Sequence, residues 1–270
     1  MNEVWNETSP EWEEFLRTPM SFADIRLFFG DQGKGKSISA NACMLDDYFQ
    51  YATQAVSPDG EVLKIRALTK HEQLYLESPI KDGGCGLEYD NLKHFRLFSD
   101  DGEKSKIVAI PSDYYILSPV KVFANRTLFG IRYVAFDLEK FIAYINTPLM
   151  TNGWLVLSES VLIGKKDPMS HVNTFMQWFG AECRKRHIKM AVDMQYRNQL
   201  QPIFHLYATT IVECGYDADT TVVTLDVNKK SPIMNSTSYV SRKYRRFYLS
   251  DEHMNIPQYK INRALATVVS

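Results

Sequence analysis

One stretch constrains this chain more than any other. Gly30-Asp-Gln-Gly-Lys-Gly-Lys-Ser37 fits the pattern G-x-x-x-x-G-K-[ST], and it follows directly on the apolar run Ile25-Arg-Leu-Phe-Phe29. The residues after it, Ser37-Ile-Ser-Ala-Asn-Ala-Cys-Met-Leu45, suit a helix. A buried strand that runs into a glycine-rich turn and then a helix points backbone N–H groups and the helix's positive end at one spot, which is a phosphate site. Gly30, Asp31, Gln32, Gly33, Lys34, Gly35, Lys36, Ser37 and Ile38 then form the cradle. Lys36 reaches the β- and γ-phosphates and Ser37 holds Mg²⁺, so the expected ligands are ATP and Mg²⁺. The alternative is a loop whose glycines serve only turning and whose lysines serve only solubility.

With 270 residues and 45% hydrophobic content, the chain can bury a large core, and one P-loop domain with an elaboration is expected rather than two equal domains. No apolar run approaches a membrane span, and Met1-Asn-Glu-Val-Trp-Asn-Glu lacks the basic-then-apolar layout of a signal peptide, so a soluble, intracellular protein is expected. The four cysteines, Cys43, Cys85, Cys183 and Cys214, lie far apart with no C-x-x-C, which predicts free thiols and no zinc site. A formal net charge of −1 argues against wholesale coating of nucleic acid but leaves room for a local basic lining.

The pattern along the chain predicts an α/β fold with a mainly parallel sheet flanked by helices and a loop- and hairpin-rich insertion. Residues 1–24 read as a lead-in, 25–215 as the nucleotide core with the insertion at 57–112, and 216–270 as a C-terminal hairpin and extension. Strands are expected at 119–125, 153–159, 189–195 and 208–214, and helices at 137–145 and 170–188. The hairpin is expected within Thr220–Val227, closed by a Lys-Lys-Ser-Pro turn.

Three strand ends hold chemistry. Gly153-Trp-Leu-Val-Leu-Ser-Glu159 stands where a P-loop ATPase has a strand ending in Asp-Glu, the Asp for the Mg²⁺ shell and the Glu for the attacking water. Glu159 suits the second task and can also meet Mg²⁺ through water; Ser158 is an uncharged, weaker acceptor for the first. An ordinary buried strand ending in a polar turn is the plain alternative. The basic cluster Arg184-Lys-Arg186 ends the 170–188 helix. There it either matches the helix dipole or supplies an arginine, Arg184 or Arg186, to a neighbouring subunit's nucleotide. Lys189-Met-Ala-Val-Asp-Met-Gln195 ends on Gln195, which either contacts a γ-phosphate or simply closes a strand.

Taken together, the Gly30–Ser37 loop, Val122-Phe-Ala-Asn125, the 152–160 strand, the 169–175 stretch, the 184–195 block and the 211–214 strand resemble the FtsK/HerA superfamily. Within it the chain looks most like the compact genome-packaging ATPases of membrane-containing tailless viruses, with Zot-like ATPases of filamentous phages close by. The resemblance covers roughly residues 25–50 and 119–215. It implies an ATP-driven DNA translocase in a homohexameric ring, working in the host cytoplasm or at the virion's packaging vertex with a capsid vertex protein or virion membrane protein as partner. It also implies that Gln195 is the strand-end glutamine and that the arginine cluster acts in trans. The chain departs from the pattern at Ser158, at Lys166-Asp-Pro168 after the 153–159 strand, and at Pro202-Ile-Phe-His205, where relatives have Arg-x-Arg.

Candidate DNA contacts are Lys165 and Lys166 after Glu159, and Arg242, Lys243, Arg245 and Arg246 in Tyr239–Tyr248, where basic and aromatic residues interleave. The second stretch reads equally as an edge strand with aromatics inward. Two other classes stay open: a small-molecule P-loop kinase, and a nucleotide-bound assembly component with little hydrolysis, which Ser158 favours.

Overall fold

The computed structural model describes residues 24–88, 90, 92–99, 102, 104–136, 153–158, 180, 182–183, 185–195, 202–217, 222–230, 233–240 and 242–248. It divides into two compact units, one made of Leu45–Val120 with Phe129–Arg132, the other of the described parts of Met20–Met44, Lys121–Leu128 and Tyr133–Ser270.

The second of these holds an eight-stranded sheet. Its strands are β1 (Ile25–Phe29), β7 (Lys121–Ala124), β8 (Val134–Ala135), β9 (Gly153–Leu157), β10 (Ile188–Met194), β11 (Thr210–Asp217), β12 (Val222–Lys230) and β13 (Ile233–Val240), in the order β13-β12-β11-β1-β10-β9-β7-β8. From β11 to β8 every neighbouring pair is parallel, and β12 and β13 add antiparallel strands beside β11.

Every described residue of β7, β9 and β10 is buried, as expected for parallel strands covered on both faces. One face gathers Ile25, Leu27 and Phe29 with Leu155, Leu157, Met190, Val192 and Met194, and Cys183 packs into this cluster. His205 of α3 (Pro202–Tyr207) stacks on Phe29 there at 5.7 Å. The opposite face, which holds Arg26 and Phe28, lies under helix α1 (Lys36–Gln50): Arg26 Nη1 donates to Cys43 Sγ at 3.1 Å.

Several boundaries differ from the sequence expectation. The helix expected to run through Ile188 stops earlier, because Arg186 N donates to Glu182 O and His187 then takes a left-handed backbone (φ 53°) that turns the chain into β10. Ile188 is therefore the first, fully buried residue of the strand. Gln195 lies just past Met194 rather than within β10. The boundary expected at 215 falls inside β11, and Lys229 and Lys230, expected in a turn, pair with Met234 and Ile233. An edge strand over Tyr239–Tyr248 is not formed: β13 ends at Val240 and a 3₁₀ helix follows at Arg242–Phe247, burying Tyr244 and Phe247. The helix expected at 137–145 lies outside the described residues.

The other unit is a five-stranded sheet, ordered β5-β4-β3-β2-β6, of β2 (Gln54–Val56), β3 (Val62–Ala67), β4 (His94–Phe98), β5 (Ser105–Ala109) and β6 (Tyr115–Leu117), all antiparallel. Helix α2 (Lys70–Glu77) joins it through a capping box in which Thr69 Oγ1 accepts from Glu72 N and Glu72 accepts from Thr69 N. Glu72 also receives Arg66 and Arg96. The hydrogen bonds from Arg66 hold its carboxyl well below the usual carboxylate range against the opposing effect of burial, with Thr69 N and Arg96 contributing. Tyr48, fully buried, donates to Ile116 O and accepts from Arg132 N.

Candidate functional site

The Gly30–Ser37 loop joins the carboxyl end of β1 to the first turn of α1. Lys36 Nζ turns back to donate to Asp31 O at 2.7 Å, and Lys34 N approaches the same carbonyl at 3.3 Å, which closes the loop into a ring. The first bond inside α1 runs from Ser39 N to Gly35 O at 3.0 Å, so the N–H groups of Lys36, Ser37 and Ile38 have no carbonyl partner in their own helix. With the helix dipole behind them, they form an anion-binding end.

Two of the loop's glycines are required by what surrounds them. A Cβ on Gly30 (φ 150°) would meet Cys214 O of β11 at 2.6 Å, and one on Gly35 (φ 81°) would meet Val223 Cγ2 of β12 at 2.5 Å. The loop is thus seated against β11 and β12, which the motif alone did not indicate. Cys214 lies beside it. Burial pushes its thiol up to about 12; the Asp193 carboxylate works in the same direction, while Ser39 and the Lys36 ammonium oppose it.

Two strands away from β1, β9 ends at Leu157, and Ser158 follows with no exposed surface. Its backbone is clamped by Asn125 at the end of β7: Asn125 Nδ2 donates to Ser158 O and Ser158 N donates to Asn125 Oδ1, both at 2.8 Å. The Ser158 hydroxyl has no hydrogen-bond partner among the described residues. Between β9 and β1, β10 carries Asp193 opposite Phe28 of β1, and Gln195 follows, exposed, just past the strand's end. The ends of β1, β10 and β9 thus bring Gly30, Gln195 and Ser158 to one edge of the sheet. At about 4.8 Å per strand, β1 and β9 lie about 10 Å apart.

Other expected residues lie elsewhere. Arg186 sits at the amino-terminal edge of the sheet, opposite the loop, with Nε 3.5 Å from Glu182 Oε2. That position separates it from its own chain's phosphate loop, and the Glu182 contact at the helix end suits the dipole-matching reading as well as one in which Arg186 serves a neighbouring subunit. Lys243, Arg245 and Arg246 point out from the 3₁₀ helix, with Arg246 over the ring of Phe247 at 4.8 Å. Glu159, Lys165, Lys166, Arg184 and the side chain of Arg242 lie outside the described residues. All four cysteines are free thiols. Among the described residues no helix is long and apolar enough to cross a membrane. A cavity of about 550 Å³ lies in the antiparallel unit between α2, β4 and β5, but its charged groups, Glu72 and Arg96, are already paired with each other.

Sequence reasoning passed over Asp193. Inside Lys189–Gln195 it reads as one polar residue in an apolar strand, and only the register against β1 and β9 places it near the loop.

The strand, loop, helix and strand order define a P-loop NTPase fold, a mixed α/β architecture with a parallel central sheet. Among solved structures the chain is similar to the N-terminal domain of zonular occludens toxin from Neisseria meningitidis, at 14% identity over 85% of this chain and 100% of that one, with a TM-score of 0.46. It is also similar to the genome packaging NTPase B204 of Sulfolobus turreted icosahedral virus 2 in complex with ATP-γS, at 9% identity over 79% and 96% with a TM-score of 0.38. A third is a KaiC-like protein of Pyrococcus horikoshii OT3, at 10% identity over 82% and 85% with a TM-score of 0.36. No family model matches the sequence, and no curated protein matches it.

Proposed function

We propose that this chain hydrolyses ATP to drive DNA into a viral capsid, working as a homo-oligomeric ring, with six copies as the expected number. The observation that supports this best is the placing of Gly30, Gln195 and Ser158 just past the carboxyl ends of three neighbouring parallel strands, with Glu159 next in sequence. Gly30, Gly33, Gly35 and the first-turn N–H groups bind the phosphates, and Lys36 leaves Asp31 O to meet the β- and γ-phosphates. Glu159 takes a proton from the attacking water, and Gln195 contacts the γ-phosphate.

The donors present suit Mg²⁺, which takes oxygen ligands and is commonly held by few protein groups plus phosphates: Ser37 supplies a hydroxyl and the buried Ser158 hydroxyl has no hydrogen-bond partner among the described residues. When bound, Mg²⁺ neutralises charge developing on the phosphates. Arg184 or Arg186 serves the nucleotide of the adjoining copy. Lys165, Lys166 or the Arg242–Arg246 cluster meets DNA phosphates, and a capsid vertex or virion membrane protein docks the ring, in the host cytoplasm or in the virion.

The same motor could serve extrusion of a filamentous virion. A different reading, an assembly component that holds ATP with negligible turnover, is favoured by one observation, the uncharged Ser158 in place of an acid. Glu159→Gln tests the hydrolytic reading: nucleotide affinity should persist while turnover falls at least about 10²-fold. Unchanged turnover would remove Glu159 from the mechanism, and a wild-type protein that binds ATP but never turns it over would favour the assembly reading.

A further inference from the structure

The strand that should end in a metal-facing acid ends in Ser158, yet a carboxylate stands one strand closer to the phosphate loop. Val192 pairs with Leu157, so Asp193 of β10 is level with Ser158; on its other side Asp193 pairs with Phe28 of β1. In β strands successive side chains alternate faces. Leu27, Leu157 and Val192 belong to the core cluster on one face, which places Phe28, Ser158 and Asp193 in one row on the other. That second face is the one covered by α1, as the Arg26–Cys43 contact fixes.

Asp193 has no exposed surface, and a buried carboxylate is costly unless cationic groups offset it. Both the Asp193 carboxylate and the Lys36 ammonium act on the Cys214 thiol, which lies beside the loop. In the same row the Ser158 hydroxyl is wholly buried and has no hydrogen-bond partner among the described residues, a second polar group directed into the same space.

We propose that Asp193 supplies the acidic contribution that β9 lacks, orienting the water shell of a nucleotide-bound divalent cation from the strand between β1 and β9. The acid has moved one strand, about 4.8 Å, toward the loop, and Ser158 serves as its neutral partner. Mg²⁺ tolerates this, because it keeps several waters and asks the protein for only one or two carboxylates. The inference rests on the nucleotide-binding reading above, and Asp193 is a positioning residue in it.

The test is binding of a fluorescent ATP analogue to the full chain, in Mg²⁺ and in EDTA. The wild-type protein should bind more tightly with Mg²⁺, and Asp193→Asn should reduce that preference about 10- to 100-fold while leaving affinity in EDTA nearly unchanged. Moving the acid back, in Asp193→Asn combined with Ser158→Asp, should restore the preference; a merely structural role for Asp193 predicts no such restoration. Retention of the full Mg²⁺ preference by Asp193→Asn overturns the inference. Should that variant not fold, Ser158→Asp alone decides: a preference already present in the wild-type protein and strengthened by Ser158→Asp supports Asp193. A preference absent from the wild-type protein and created by Ser158→Asp overturns it. Failure of the underlying reading has a different signature, no nucleotide binding by the wild-type protein in either buffer.

Discussion

Replacing Gly35 with alanine adds a single methyl group where the phosphate loop meets β12, and two independent costs follow. The residue has φ 81°, where a side chain costs roughly 1–2 kcal/mol. The new methyl would also lie 2.5 Å from Cγ2 and 2.7 Å from Cγ1 of Val223, a stiff, buried, β-branched neighbour, and overpacking of this kind costs roughly 1–3 kcal/mol. Gly35→Ala should therefore lose about 2–5 kcal/mol of stability in urea unfolding followed by tryptophan fluorescence, together with most nucleotide affinity. The steric part can be separated. Val223→Ala alone removes two methyls and destabilises, but combined with Gly35→Ala it makes room, so the pair should be more stable than the sum of the single effects by about 1–3 kcal/mol. A Gly35→Ala protein within 0.5 kcal/mol of wild type, or a strictly additive pair, would refute the claim that β12 holds the loop in place.

Other expectations follow from the same contacts. Asn125→Ala strips both hydrogen bonds from the buried Ser158 backbone, at about 1–3 kcal/mol for each group left unpaired, and should lower turnover more than nucleotide affinity in steady-state assays. Because the folded-state pKa of Glu72 is depressed, its stabilising contribution is complete above the ordinary glutamate value of about 4.3 and fades as pH falls below it. Thermal melts from pH 7 downward should show this fall in the wild-type protein. Glu72→Gln should be less stable at neutral pH and flatter across the acid range, and parallel curves for the two would count against the Arg66–Glu72–Arg96 cluster as the cause.

What the sequence disclosed was local. Gly30–Ser37 could be read because the chemistry of a phosphate loop sits in eight consecutive residues, with a strand on one side and a helix on the other. The strands near 121, 153, 188 and 210 were visible as apolar runs, and their parallel order followed from the segments between them. Features set by partners distant in sequence were not visible. Whether Lys229 and Lys230 form a turn or a ladder depends on Ile233 and Met234 pairing with them. The end of the 170–188 helix depends on the sheet drawing in Ile188, and the significance of Asp193 depends on its register against Phe28 and Leu157. The close approach of Val223 to Gly35 joins residues far apart in the chain, and no spacing rule foretells it.

Whether the three neighbouring strand ends form an ATPase coupled to DNA is decided by ATP turnover with and without double-stranded DNA. The preparation should have a measured mass, and Lys36→Ala should be run alongside. A DNA-coupled ring should show turnover by a ring-sized assembly that rises when DNA is added and disappears in the Lys36 variant. Turnover by a monomer indifferent to DNA, or activity that survives Lys36→Ala, would contradict it.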